Sequence, residues 1–530
     1  MDRRTLSLLI ALLAGAAGPA PARAGLIPDP AFGTGGITRT DLAGDDTPLD
    51  LLLQPDGKIL VGGQSVAGAP GYFIAMARYD ANGAPDSAGF GTDGKVSVHF
   101  ALRDYVNALT LEPDGTIVGA GMQMISGAVS SQTGSIYRFH PDGAIDSTFG
   151  LGGYEVGRFE PVSSCEFSAV RVMENGHLQA GGRSDANANG GAYGFGAKVY
   201  DTSGVQQDSF LRVAPSTAYR AGACVFHDGN ILWANTRINA PHEIVVLRLK
   251  DTGATDSTFN GGAALVTSVP AILNADVRIV VQDDGKVLVA STTPRDGGGS
   301  NFVVLRFLPD GTFDPGFGGT GRVDVQVGPG TSPDVLRDMI VDPLGRIWLA
   351  GRASTTSRQV GLARLLPDGS LDPAFPDGGA TLIDLNGPGG EHELMRIRLL
   401  PDGSVLGVGH DSASGGGDFF LVRFLPVDAT DVPVAAPVGV PLLRAFPNPS
   451  RGETSIRFAL PQHGRATFDV YDPAGRLVRR VFHGELTEGA ASLTWDGRDG
   501  SGRVVAAGVY FGRLTSGYGE TRSVRIVRVR

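Results

Sequence analysis

The sequence predicts an all-β fold, and three observations predict it. Short runs with apolar residues two apart recur along the chain, Asp-Gly or Asn-Gly turns separate them, and 78 glycines accompany 42% apolar and only 19% charged residues. Alternation at period two sets one face of each run against a core, and Gly at this apolar content fits tight turns rather than disorder.

The first residues, MDRRTLSLLIALLAGAAGPAPARA, have the three parts of a secretory signal: Arg3 and Arg4, an apolar run from Leu6 to Ala17, and Ala22-Arg23-Ala24 before Gly25. Residues 1–24 are therefore expected to be cleaved. The apolar run is short for a bilayer span, and Ser7 interrupts the pattern wanted after a twin-arginine signal, so general secretion is the expectation. No later segment reaches 18 uninterrupted apolar residues, so no other span is predicted.

Residues 25–426 form an array of similar units. First-turn glycines fall at Gly57, Gly115, Gly176, Gly229, Gly285, Gly345 and Gly403. Each follows a run with apolar residues two apart, such as Leu51/Leu53 and Ile279/Val281, and precedes a second run such as KILVGG or KVLVAS. The pair reads as a hairpin whose Gly supplies positive φ. A third run leads to a second turn at Gly83, Gly143, Gly204, Gly253, Gly311 and Gly369. A fourth opens on an Asp…Phe element: Asp29/Phe32, Asp86/Phe90, Asp146/Phe149, Asp208/Phe210, Asp256/Phe259, Asp314/Phe317 and Asp372/Phe375.

The two ends of the array do not match. Asp29/Phe32 precedes the first hairpin with no strands before it, while residues 391–426 lack a fourth strand after them. A ring resolves both: the strand near Ile37–Leu42 completes the last blade, giving a seven-bladed β-propeller closed by its N-terminal strand. Closure removes sheet edges that an open solenoid would expose.

Units of about 58 residues reading A-x-x-L-x-x-PDG-K-I-x-V-x-G and then L-x-R-x-x-PDG-x-x-D-x-x-FG-x-x-G resemble the delta-60 repeat family of bacterial secreted proteins over residues 29–426. Units three and four are weaker, with Met173-Glu174-Asn175-Gly176 and His227-Asp228-Gly229 replacing the usual turn. The resemblance implies a propeller and transfers no activity.

Residues 427–443 are Pro/Ala/Val-rich and read as a linker. Residues 444–530 contain strands such as TSIRFAL, RATFDVYD and GVYFGRLT, and read as a small β-sandwich. The stretches FPNPSRGETSIRFALP, WDGRDGSGRVVAAGVYF and VRIVRVR resemble the C-terminal sorting domains of type IX secretion cargo. The middle stretch is equally similar to the Ig-like domain of flagellar hook-capping proteins. The tail ends in Arg where sorting domains often carry Lys.

Charge is uneven. Residues 444–530 hold 14 Arg against 8 Asp and Glu, and the overall −10 leaves residues 25–443 at −18. An acidic body of that size argues against nucleic acid as a partner.

Candidate chemistry is sparse. Gly63-Gln64-Ser65-Val66-Ala67 and Gly182-Arg183-Ser184-Asp185-Ala186 only approximate a nucleophile elbow, which needs a strand-to-helix turn. The nine His include no pair at ligand spacing. Calcium is the one cation the Asp-Gly turns suggest, yet each turn, and likewise Asp496-Gly497-Arg498-Asp499-Gly500, offers too few converging oxygens, and hairpin chemistry accounts for them more simply. No catalytic, cofactor or metal residue is assigned.

Seven residues before the turn glycines lie Asp50, Ala108, Ala169, Gly222, Arg278, Asp338 and Arg396. The four charges, Asp50, Arg278, Asp338 and Arg396, either ring a polar channel or pair between blades. Cys165 and Cys224 lie on the first strands of units three and four, eleven and five residues before their glycines, and form a disulfide or two separate buried thiols.

The expected protein is thus an exported, non-enzymatic propeller of a Gram-negative-type bacterium, binding a glycan or protein ligand at the cell surface. Residues 444–530 would engage the secretion machinery. The alternatives are an extracellular enzyme acting on glycans or other polymers, and a purely structural surface protein.

Overall fold

A computed structural model describes residues 26–42, 44–67, 71–125, 132–159, 164–185, 194–213, 219–237, 242–272, 275–354, 357–385, 391–400, 402–411, 417–425, 444–446, 450, 452–460, 464–472, 476–486, 489–516 and 521–529. The segment read as a signal peptide and the linker at 427–443 lie outside the described residues. The chain divides into two compact units, Met1–Ala429 and Thr430–Arg530.

The first unit is all-β: five four-stranded sheets and one eight-stranded sheet, every strand pairing within a sheet antiparallel to its neighbours in chain order. The eight-stranded sheet is two four-stranded sets joined by a single parallel pair, Tyr72 with Arg103. Each set begins with an inner strand that ends at a first-turn glycine, such as Gly57 at φ +86°. At Gly63 and Gly121 the backbone of the neighbouring inner strand lies within 2.1 Å and 1.9 Å of where a Cβ would stand, so only Gly fits.

One sheet is assembled from both ends of the unit. Ile37–Thr40 pairs antiparallel with Asp418–Phe424, Ile37 opposite Val422 and Thr40 opposite Phe419, beside Val405–Asp411 and His392–Leu399. The expected closing strand is present. It buries Ile37 against Phe420, Val422 and Phe424.

The Asp…Phe element is a latch between neighbouring sheets. An arginine on the third strand of a set binds the Asp carboxylate: Arg78 to Asp86 at 2.8 Å, Arg138 to Asp146 at 2.7 Å, Arg248 to Asp256 at 2.7 Å, Arg306 to Asp314 at 2.8 Å and Arg364 to Asp372 at 2.7 Å. The same guanidinium lies over the buried Phe of that element, 4.7 Å from Phe90 and 4.6 Å from Phe149 and Phe317. Arg78, Arg138 and Arg306 then donate to the carbonyls of Pro141, Thr202 and Pro367, in the second turn of the next unit. That turn's glycine rests on the ring: a Cβ on Gly143 would meet Phe90 at 2.7 Å. In the third unit Lys198 takes the arginine's place and donates to Gln206 at 2.5 Å, while Phe210 still supports Gly253.

The second unit holds a three-stranded sheet (Arg444–Phe446, Thr454–Leu460, Gly489–Trp495) and a four-stranded one (Leu477–Leu486, Gly464–Tyr471, Gly508–Ser516, Thr521–Arg528). Ile456, Phe458, Phe468, Val470, Trp495 and Ile526 form its core. Two antiparallel sheets sharing one core make an Ig-like sandwich.

Candidate functional site

The inner strands surround a cavity of about 670 Å³. Its wall is set by a repeated irregularity. In five of these strands the pairing slips by one residue, between Pro48 and Asp50, Val106 and Ala108, Phe167 and Ala169, Leu336 and Asp338, and Leu394 and Arg396. Such a β-bulge turns two consecutive side chains to one side. The skipped residues Leu49, Asn107, Ser168, Arg337 and Met395 therefore line the cavity together with the residues that follow them.

Asp50, Arg278, Asp338 and Arg396 all line this cavity. Asp338 faces Arg278 Nε at 3.4 Å and Arg398 Nη1 at 3.5 Å, and Arg398 Nη2 reaches Asp50 at 2.9 Å. The two carboxylates also hold the adjoining inner strands: Leu109 N donates to Asp50 Oδ2 at 2.8 Å and Ile397 N to Asp338 Oδ2 at 2.9 Å. Arg396 differs. Among the described residues it has no carboxylate at ion-pair distance, and its Nη1 donates to the carbonyl of Met395 at 2.6 Å. Burial and the Arg278 guanidinium beside it pull Arg396 down to about 10, still charged at neutral pH.

Residues outside the expected set complete the wall. Arg337 bridges Asp276 and Glu393, each at 3.0 Å, and Arg352 also binds Glu393 at 2.8 Å. Burial alone would raise Asp276, but Arg278, Arg337 and Arg396 hold its carboxyl below the usual range. Across the cavity Glu166 takes Arg183 Nη2 at 2.7 Å, Asn107 Nδ2 at 2.7 Å and the Tyr105 hydroxyl at 3.0 Å. Its carboxyl is likewise low, with Arg183 outweighing burial. Six arginines, with Arg171 the sixth, thus face Asp50, Glu166, Asp276 and Asp338 around one cavity. The alternation hid Arg337 and Asn107 because the bulge shifts the period within each strand.

Five segments of the chain, 54–88, 112–149, 282–317, 345–375 and 400–432, match the family model described as domain of unknown function DUF5122, a β-propeller. Residues 448–519 match the FlgD Ig-like domain. The chain carries DUF5122 β-propeller repeats and a FlgD Ig-like domain. The matched DUF5122 segments skip residues 150–281, the stretch with the altered turns and with Lys198 in place of one latch arginine.

Solved structures similar to this chain include a PL25 ulvan lyase bound to -[GlcA(1-4)Rha3S]-, at 12% identity and a TM-score of 0.43, covering 73% of this chain and 96% of that one. The polysaccharide lyase Uly1 is similar at 10% identity and a TM-score of 0.41, covering 75% and 92%. PorZ, a surface component of the type IX secretion system of Porphyromonas gingivalis, is similar at 13% identity and a TM-score of 0.30, covering 92% and 75%. No curated protein matches the chain.

The expectation of a non-enzymatic protein is corrected by these findings: polysaccharide lyases stand among the structures similar to it. Two carboxylates converge in the cavity, where Arg398 binds both Asp50 and Asp338.

The cysteines are both free. Cys165 is buried and its thiol donates to the Gly157 carbonyl at 2.8 Å, while Cys224 lines the cavity wall. Burial raises both thiols above their ordinary value. The Asp residues of the second turns spend their oxygens on local amides, as Asp310 does with Thr312 N at 2.9 Å, and Asp499 in the Ig-like domain does with Ser501 N at 2.8 Å. Ser65 and Ser184 are fully buried on strands, paired opposite Asp46 and Cys165.

Proposed function

We propose that this protein is an exported β-propeller that binds an anionic extracellular ligand, an acidic glycan, in the cavity enclosed by its inner strands. Residues 444–530 deliver it to the cell surface or hold it there as a type IX sorting domain. The observation that carries the binding reading is Arg396, a charged guanidinium facing the cavity with a backbone carbonyl as its partner and another guanidinium beside it. Five further arginines surround it in a protein whose net charge is −10. A carboxylate or sulfate group entering there relieves the repulsion between Arg278 and Arg396 and accepts their hydrogen bonds.

An array of uronic-acid and sulfated glycans tests this with the purified protein and with Arg396→Gln. Binding that weakens with salt and is lost in the variant supports the reading; retention by the variant, or preference for neutral glycans, overturns it. Reducing-end release in the same incubations registers turnover. Delivery is tested by comparing cell-bound and released protein with and without residues 444–530, and an unaltered distribution removes the sorting role.

A further inference from the structure

The inner strands meet the cavity at one level with two kinds of residue. Seven residues before the first-turn glycine, units five, six, seven and one carry Arg278, Asp338, Arg396 and Asp50, while the consecutive units two, three and four carry Ala108, Ala169 and Gly222. All seven line the cavity. At the bulge, Asn107 and Ser168 stand where unit six has Arg337. At this level the wall is charged along one arc, small and uncharged along the other.

The charges of the cavity nearly cancel. Five of its six arginines each have a carboxylate of their own: Arg278 has Asp338 at 3.4 Å, Arg337 has Asp276 at 3.0 Å and Arg398 has Asp50 at 2.9 Å. Arg183 has Glu166 at 2.7 Å, and Arg171 has Asp251 at 3.5 Å. Glu393, which also touches Arg337, has Arg352 at 2.8 Å. Among the described residues this matching leaves Arg396 over. The pairs that unit three brings, Glu166 with Arg183 and Arg171 with Asp251, lie on either side of Ala169 along the strand, so the uncharged arc stays uncharged at its own level.

One unmatched guanidinium in an enclosed wall calls for one negative charge. A second anionic group would face Asp50, Asp276 or Asp338, where like charges repel across poorly solvated space. The other arc has no cation for it at this level; it offers room beside Ala108, Ala169 and Gly222, with Asn107 and Ser168 to meet hydroxyl groups. We propose that the ligand of this cavity is a sugar bearing a single anionic group, the anion on Arg396 and the uncharged ring against the arc of Ala108, Ala169 and Gly222. This rests on the acidic-glycan reading and narrows it, excluding densely sulfated chains.

The uncharged arc can be filled without touching Arg396. At the register of Ala169 the other units hold Asp50, Arg278 and Arg396, so the strand accommodates a longer side chain there. Ala169→Leu therefore occupies the space assigned to the ring and leaves the charges as they are. Gly222 is the wrong place for such a change, since a Cβ there would meet the Asn235 side chain at 2.3 Å.

Calorimetric titration of the full chain with galacturonate, galactose 6-sulfate, inorganic sulfate and a trisulfated heparin disaccharide tests the inference. The two singly charged sugars bind, one per chain. Inorganic sulfate, which has no ring, and the trisulfated disaccharide each bind more weakly by about tenfold or more. Ala169→Leu weakens both sugars by about tenfold or more, while its affinity for inorganic sulfate and its unfolding midpoint stay those of the unaltered chain. Tighter binding of the disaccharide, inorganic sulfate matching the sugars, or unchanged sugar affinity in Ala169→Leu overturns the inference. Arg396→Gln tells its failure from that of the reading beneath it: loss of the sugars and of sulfate in this variant upholds the anion site whatever Ala169→Leu does, and undiminished galacturonate binding overturns the anion site itself. No heat from any probe overturns both.

Discussion

Arg423 reaches back 394 residues to Asp29, its Nε donating to Oδ2 at 2.7 Å and its Nη2 lying 2.5 Å from the same oxygen. The guanidinium also covers the Phe32 ring at 5.1 Å and donates to the Ala81 carbonyl at 3.1 Å. The latch that joins successive sheets elsewhere here joins the beginning of the array to its end. Arg423→Ala is expected to destabilise the propeller by about 2–4 kcal/mol, below the full cost of breaking a wholly buried pair because both partners keep some exposure. Arg423→Lys keeps the charge but loses the fork and the stacking, and should recover less than half of the loss. Denaturant unfolding of the three proteins measures both.

The cavity arginines separate by partner. Arg337 is held between Asp276 and Glu393, which keep Arg278 and Arg352 as further partners, so Arg337→Ala should cost about 1–3 kcal/mol in the same unfolding assay. Arg396→Gln removes a guanidinium that pairs with no carboxylate among the described residues and faces Arg278. It should leave stability unchanged or raise it slightly while abolishing anion binding. A large loss of stability in Arg396→Gln would show that its charge serves the fold.

Two groups of carboxylates set opposite pH limbs. Asp29, Asp86, Asp146, Asp256 and Asp314 have folded values below the ordinary 3.8, each held down against burial by hydrogen bonds and its latch cation. Their contribution is complete above about pH 4 and is lost as pH falls through the lowered values. Asp46, raised to about 6, does the reverse: stability rises as pH falls from about 7 towards 4, because the folded state takes up the proton first. Unfolding free energy against pH should therefore peak between about 4 and 5. Asp46→Asn should flatten the upper limb and leave the acid limb in place.

The thiols give a mass test. Alkylation in denaturant without reductant should add two groups per chain, and alkylation of the folded protein should be slow at both, since burial raises each thiol and the thiolate is the reacting form. An unmodified mass in denaturant would mean that Cys165 and Cys224 are bridged.

The ring was legible because it is a matter of counting: an Asp…Phe element with nothing before it and a three-strand set with nothing after it require each other. The Ig-like unit was legible from alternation and turns. The cavity was only half legible. Asp50 and Asp338 follow from equal spacing to a turn glycine, but Arg337 and Asn107 are themselves bulge residues and Glu166 lies just before one, where period-two reasoning assigns the wrong face. The arginine of the repeat was visible as a letter, yet its role needs the neighbouring sheet. The convergence of Asp41, Asp46 and Asp418 needs the first and last strands of the propeller unit side by side, which no local pattern contains.

The pairing of Ile37–Thr40 with Asp418–Phe424 also makes completeness a condition of folding. A product truncated before Phe424 has every preceding repeat and still leaves its first strand unmatched, an open edge for proteases and for other chains. Only a chain synthesised through its last repeat can conceal that edge, so the join acts as a proofreading step on the length of the molecule.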